Sequence, residues 1–168
     1  KLTRPLKDLT KESIFNILTH SNLLNIKFEK SKVLDLFSGV GSFGLECISR
    51  GSKKVIFCEN YSEALKILKK NILNLNCEDK TQIIEQNILE IKNFNEFYEK
   101  KFEIIFLDPP FKEKKLENLI DKILSFKLLK NNGIIIIHRH KKEKEIYPEN
   151  FKILKVKTYG ISKIIFGN

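Results

Sequence analysis

Cysteine is scarce and poorly spaced for stapling or metal binding: there are three, Cys47, Cys58 and Cys77, and no two form a C-x-x-C pair. An odd count without that spacing indicates neither a disulfide framework nor a zinc site, and it fits a reducing cytoplasm, the location expected for the chain. No apolar run reaches the roughly 20 residues that span a bilayer, and no charged-then-apolar start has the form of a signal peptide. The four prolines, Pro5, Pro109, Pro110 and Pro148, are scattered or paired at one turn, and no linker, repeat or low-complexity tract separates parts of the chain. The first residue is not methionine, so Lys1 is expected to lie inside a longer gene product. These absences leave one compact domain over residues 1–168, with a helical extension over about the first 30.

What is present is an ordinary globular composition, 42% hydrophobic and 31% charged, which excludes wholesale disorder. Lysine and arginine number 31 against 21 acidic residues, a net charge of +10 that favours polyanions through counterion release. Nucleic acid is the natural partner; a lysine-rich solvated surface is the plainer explanation.

Apolar spacing predicts an alternation of strands and helices. Lys11 to His20 is helical, with Asp8 or Thr10 as N-cap; Val33 to Phe37 is a strand, and Phe43 to Ser49 a helix closed by Gly51. Lys54 to Cys58 and Ser62 to Leu75 repeat the unit, and Thr81 to Glu85 is a third strand, followed by a short helix near Phe94 to Tyr98. Phe102 to Leu107 is a buried strand, Leu116 to Phe126 a helix, and Ile134 to Ile137 a strand covered on both faces. Phe151 to Lys157 and Ile161 to Phe166 flank Thr158-Tyr159-Gly160 as an antiparallel hairpin. The fold class is therefore α/β, a doubly wound, Rossmann-like, mostly parallel sheet, with its ligand cleft outside the carboxyl ends of the strands.

Gly39, Gly41 and Gly44 form G-x-G-x-x-G after the first strand, and Glu59 ends the second, twenty residues beyond Gly39. Glycines there permit a tight turn and close ligand approach, and the carboxylate can accept two ribose hydroxyls, so a nucleoside-containing cofactor is indicated. Phe37 at the loop entry and Asn60 after Glu59 join the candidate set. The pattern alone does not separate a nicotinamide dinucleotide from S-adenosylmethionine. Asp35 bears on the choice: it would repel a pyrophosphate but attract the ammonium of a methionine moiety, unless it simply hydrogen-bonds the loop backbone. Asn87, after the third strand, is placed to bond an adenine edge or to shape a turn.

Asp108-Pro109-Pro110-Phe111 follows the fourth strand and should face the glycine loop. The lone pair of an exocyclic amino group on a base is delocalised into the ring and nucleophilically poor. An aspartate and a neighbouring backbone carbonyl can accept both amino hydrogens and strengthen those bonds as charge develops on nitrogen. Here Asp108 is the acceptor and Pro109 the rigidly aimed carbonyl, while Phe111 supplies a stacking face for a withdrawn base. The same four residues would also make a rigid turn.

A sheet carrying both motifs looks like the class I methyltransferases of amino groups, with their [Asn/Asp/Ser]-Pro-Pro-[aromatic] signature. Within that class the chain resembles the RsmD family nearly from end to end. The resemblance rests on Arg4-Pro5 with Asp8 and Lys11-Glu12-Ser13-Ile14-Phe15-Asn16, and on Val33-Leu34-Asp35-Leu36-Phe37-Ser38-Gly39 with Gly41. It continues through Gly44-Leu45-Glu46, Ser49-Arg50-Gly51 and Asp108 to Phe111, and reaches the hairpin at Tyr159-Gly160. It implies a methyl transfer from S-adenosylmethionine to the N2 of a guanine in 16S ribosomal RNA, position 966 in the usual RNA numbering. Its partner would be ribosomal RNA or the small subunit. Leu6-Lys7 stand where the family often has two threonines, and the basic segment expected before Arg4 is almost wholly absent.

Lys112, Lys114 and Lys115 follow the Asp-Pro-Pro-Phe loop, and His138-Arg139-His140-Lys141-Lys142 follow the fifth strand. Arg4, Lys112, Lys114 and Arg139 are candidates for RNA phosphates, although a solvated helix start explains the first run equally well. His138 and His140 have no acidic or cysteine neighbour to complete a metal set, so no metal is expected. His138 is taken to lie off the main line of the cleft, leaving Asp108 as the proton acceptor. Competing readings are an adenine-N6 or cytosine-N4 DNA methyltransferase, a nicotinamide-dependent oxidoreductase and a catalytically idle RNA-binding module. A monomer suffices for all of them.

Overall fold

The computed structural model describes residues 8–21, 26–91, 94, 97, 101–110, 113 and 115–168. The elements run α1 (Asp8–His20), β1 (Lys32–Leu36), α2 (Ser42–Ser49), β2 (Lys54–Cys58), α3 (Ser62–Asn74) and β3 (Thr81–Ile84). They continue as β4 (Phe102–Leu107), α4 (Leu116–Ser125), β5 (Leu129–His140), β6 (Ile153–Tyr159) and β7 (Ser162–Gly167). All seven strands form one sheet in the order β3-β2-β1-β4-β5-β7-β6. The first five are parallel, and β7 runs antiparallel to both β5 and β6. This is the α/β, doubly wound, Rossmann-like sheet with a C-terminal antiparallel hairpin that the alternation of periods predicts.

The pleat sorts the apolar side chains into two layers. Val33, Val55, Phe57, Ile104, Phe106, Ile134 and Ile136 face α1, α2 and α3, which contribute Ile14, Phe15, Leu18, Phe43, Cys47, Leu68 and Ile72. Leu34, Leu36, Ile56, Ile105, Leu107, Ile135 and Ile137 face α4, through Leu116, Leu119, Ile120 and Ile123, together with Ile88, Phe94 and Phe97. Burial on both faces is why Ile134 to Ile137 shows no alternation in sequence. Each such aliphatic side chain contributes roughly 1.5–3 kcal/mol on leaving water. Phe43 of α2 stacks on Phe106 with ring centroids 4.0 Å apart, fixing that helix directly above the middle of the sheet.

Two local expectations change. β5 begins at Leu129, five residues before Ile134, because Leu129 pairs with Phe102 across a register shift that the polar Lys130, Asn131 and Asn132 conceal. Asp8 lies in the first turn of α1 rather than capping it, and Thr10 is buried within the helix. The short helix expected near Phe94 to Tyr98 falls largely outside the described residues. Among the described residues no helix is long and apolar enough to cross a membrane.

Candidate active site

One rung of the sheet organises the site. Ile84, Cys58, Leu36, Leu107 and Ile137 lie side by side across β3, β2, β1, β4 and β5. The first residues beyond that rung are Glu59, Phe37, Asp108 and His138, so chain connectivity alone brings them to the same rim. Asp108 is tied to the entrance of the glycine loop by its amide, which donates to the Leu36 carbonyl at 3.3 Å.

The loop is built from its own backbone. Ser38 donates through its amide to Cys58 O at 3.1 Å, Gly41 through its amide to Ser38 O at 2.8 Å, and Asn71 through Nδ2 to Val40 O at 3.1 Å. Gly41 has φ +85°, and a Cβ there would stand 2.5 Å from Leu68 Cδ1. At Gly44 a Cβ would lie 2.4 Å from the Phe57 ring, so this glycine lets α2 press onto β2. Phe37 holds the left-handed conformation, φ 58°, without being glycine, a strained backbone of the kind that collects at ligand sites. It lines a cleft with Glu59, Asn60, Asn87, Ile88, Leu89, Pro110 and Glu113.

Two carboxylates hold the loop. Glu59, 8% exposed, accepts the Gly39 amide on Oε2 at 2.7 Å and the amides of Asn60 and Tyr61 on Oε1 at 2.8 Å each. Asp35, 1% exposed, accepts the Gly44 amide on Oδ2 at 2.9 Å, so it does bond the loop backbone. Its other oxygen, Oδ1, is buried with no partner among the described residues. Burial pushes its carboxyl well above the usual range; the Gly44 bond opposes this, and the charges of Asp108 and Glu59 add to it. Asn87 closes a turn, accepting the Leu89 amide at 3.1 Å and donating to Glu90 at 2.9 Å, and it also lines the cleft.

Asp108 is about a quarter exposed, and its Oδ1 meets His138 Nδ1 at 2.8 Å. The other ring nitrogen, Nε2, meets Ser162 Oγ at 2.9 Å. His138 therefore belongs to the site and does not lie off the cleft line. The signal was in the sequence: Leu107 and Ile137 each end an apolar run, and the residue after each is the one that matters. Ser162 carried no such signal, because its placement depends on the antiparallel register of β7 against β5.

Arg139 corrects a second expectation. Its side chain is 1% exposed and turned inward, so it is not presented to an RNA phosphate. Nη1 donates to Pro110 O at 2.9 Å, Nη2 to Glu113 O at 3.2 Å, and Nε to the buried Glu145, which Lys163 also meets at 3.1 Å. Arg139 thus holds the backbone after Pro109, which is itself buried. Phe111, Lys112, Lys114 and Arg4 lie outside the described residues. Among those described, no group of three His, Cys, Asp or Glu side chains is placed to hold a metal ion.

Two rim carboxylates, Glu59 and Asp108, with Asp35 buried one rung inside them, suit a ligand with positive charge. The ammonium and sulfonium of S-adenosylmethionine fit this donor set.

A family model described as conserved hypothetical protein 95 matches residues 1–168. The chain is similar to a ribosomal RNA small subunit methyltransferase D of Haemophilus influenzae, 36% identical over 159 residues, 94% of this chain and 79% of that protein. A protein of the same name from Buchnera aphidicola subsp. Baizongia pistaciae is 35% identical over 156 residues, 92% of this chain and 75% of that one. The solved structure of a Haemophilus influenzae protein, described as a candidate methylase, matches with TM-score 0.74 at 34% identity, covering 95% of this chain and 96% of that chain. A ribosomal protein L11 methylase from Lactobacillus delbrueckii subsp. bulgaricus shares the fold, with TM-score 0.68 at 16% identity over 93% of this chain and 75% of that chain.

Proposed function

The chain belongs to the family described as conserved hypothetical protein 95, the RsmD family of RNA methyltransferases, and on that premise we propose that it methylates the exocyclic N2 of a guanine in small-subunit ribosomal RNA, with S-adenosylmethionine as donor. The observation that carries this reading is the rung that sets Asp108 of the Asp-Pro-Pro turn beside Phe37, at the mouth of the glycine loop.

What the cofactor supplies when bound is an electrophilic methyl group on a sulfonium. Asp35, buried beneath the loop, would supply negative charge toward the ammonium, and Glu59, already fixed by three amides, would present its remaining lone pairs to ribose hydroxyls. Asp108 accepts one amino hydrogen of the base and takes the proton that nitrogen sheds as its bond to carbon forms and the sulfur–carbon bond breaks. The Pro109 carbonyl accepts the second hydrogen, and Phe111 stacks the base. Both acceptors gain strength as nitrogen becomes cationic, which is where catalysis requires it. In this reading the partner is ribosomal RNA, free or within the small subunit, drawn by the net charge of +10 to a monomer acting in the cytoplasm.

The test is label transfer from radioactive S-adenosylmethionine to small ribosomal subunits, free 16S RNA and duplex DNA in parallel, followed by mass-spectrometric mapping. Label in a guanine of the RNA, reduced roughly 100-fold or more in Asp108→Ala, is the expected result. Label confined to DNA, or an Asp108→Ala protein as active as wild type, overturns it.

A further inference from the structure

Asp108, His138 and Ser162 form a hydrogen-bonded chain whose exposure decreases along its length. Asp108 is 24% exposed on its side chain, His138 10%, and Ser162 is 5% exposed as a residue. The serine is sunk into the β5–β7 pair, two rungs from His138's own partner Ile164, so it is not placed to act as a nucleophile. The most exposed of the three groups is the carboxylate. In an acyl-transfer triad a carboxylate orients a histidine that serves the reacting serine; here the order is reversed, and the histidine orients a carboxylate.

We propose that His138 is a positioning residue for the methyl acceptor, holding Asp108 by Oδ1 while Ser162 fixes its tautomer, so that Oδ2 is the oxygen left for the amine. This rests on the methyltransferase reading above. An ionised carboxylate only accepts hydrogen bonds, so Nδ1 must carry the proton; a neutral imidazole then has an acceptor at Nε2, which the Ser162 hydroxyl fills. Asp108 lies near enough to the buried Asp35 for its charge to act on that carboxyl, and an aspartate there without a donor has other rotamers open to it. One donated hydrogen bond fixes the rotamer and aims the remaining oxygen at the amine. The Leu107↔Ile137 rung supplies the geometry, because it sets Asp108 and His138 abreast on the same face.

Two substitutions separate positioning from mere packing. In His138→Asn the side-chain amide nitrogen takes the place of Nδ1 and keeps the donor to Asp108; in His138→Gln the amide reaches Ser162 and abandons Asp108. We expect the glutamine variant to lose roughly 10–100-fold in kcat, with the KM for S-adenosylmethionine unchanged, and the asparagine variant to recover most of that loss. Nitrogen NMR of the wild-type imidazole, read without any substrate, should show Nδ1 protonated and Nε2 bare. Equal losses in the two variants, full activity in both, or the opposite tautomer overturns the positioning role while leaving the methyltransferase reading intact. A wild-type protein that labels no RNA overturns that reading and the positioning role with it, and is recognised because the comparison of variants then has no activity to start from.

Discussion

Asp35 accepts the Gly44 amide at 2.9 Å through Oδ2, and its Oδ1 is buried without a partner among the described residues. Its neighbours on the same rung are Phe57 of β2 and Phe106 of β4, with Ile83 and Ile136 beyond them, so a carboxylate occupies a position that the sheet otherwise fills with apolar side chains. Burial raises its pKa, and the sign of the consequence follows. The folded state keeps a proton that the unfolded chain releases near the ordinary value of 3.8, so stability falls as pH rises from there through the higher folded value. A residue that costs stability at neutral pH is explained by a ligand that needs its charge.

Asp35→Asn should therefore raise stability and lower affinity together. The amide keeps an acceptor for Gly44 and removes the buried charge, so the unliganded variant should resist urea better than wild type at pH 7. That advantage should shrink as pH falls toward 4, where the wild-type carboxyl is protonated too. Loss of the charged acceptor should weaken S-adenosylmethionine roughly tenfold or more by calorimetry. A variant less stable than wild type at pH 7 would show that the charge is not a burden in the folded protein.

Gly44→Ala tests the contact that holds α2 against the sheet. The new methyl would meet the Phe57 ring at 2.4 Å, and Phe57 is fully buried with no room to withdraw. The expected cost is about 1–3 kcal/mol in chemical denaturation, with weaker cofactor binding as the Gly44 amide is pushed from Asp35. Unchanged stability would mean that α2 shifts freely over β2.

Most of this architecture was legible because strand ends and helix starts coincide with changes of apolar period. The rim of carboxylates followed from counting: Glu59 and Asp108 each stand one residue beyond an apolar strand. Arg139 was not legible. The pleat sends 138 and 139 to opposite faces, but what receives the guanidinium is the carbonyl of Pro110 and that of Glu113, backbone groups that leave no trace in side-chain pattern. A lone charged residue after a strand is ordinarily solvated, and here local backbone demand prevails over that tendency.

Arg139→Gln should behave as loss of a structural clamp. Glu145, buried at 7% exposure, keeps Lys163 but loses its stronger partner, and two carbonyls lose donors. A cost of about 3–5 kcal/mol in urea unfolding is expected, with faster proteolytic cleavage near residue 113. Where the variant remains folded, the slope of RNA affinity against salt should match wild type. A slope smaller by about one would instead restore Arg139 as a phosphate contact.

Glu59→Gln should depart from Asp35→Asn in the sign of its stability change, although both remove a carboxylate from the same rim. The Glu59 carboxylate serves three amides with two oxygens, whereas a glutamine has one acceptor oxygen and turns its NH2 toward at least one of those donors. Either Gly39 or the Asn60–Tyr61 pair loses its acceptor, at a cost of about 1–3 kcal/mol measured by denaturation. Affinity for S-adenosylmethionine should fall as well, because the loop is less well fixed and the ribose hydroxyls face a poorer acceptor. One substitution lowering stability and the other raising it, with affinity reduced in both, is the pattern expected if Glu59 builds the loop and Asp35 waits for a cation. The same sign in both would remove that division of labour.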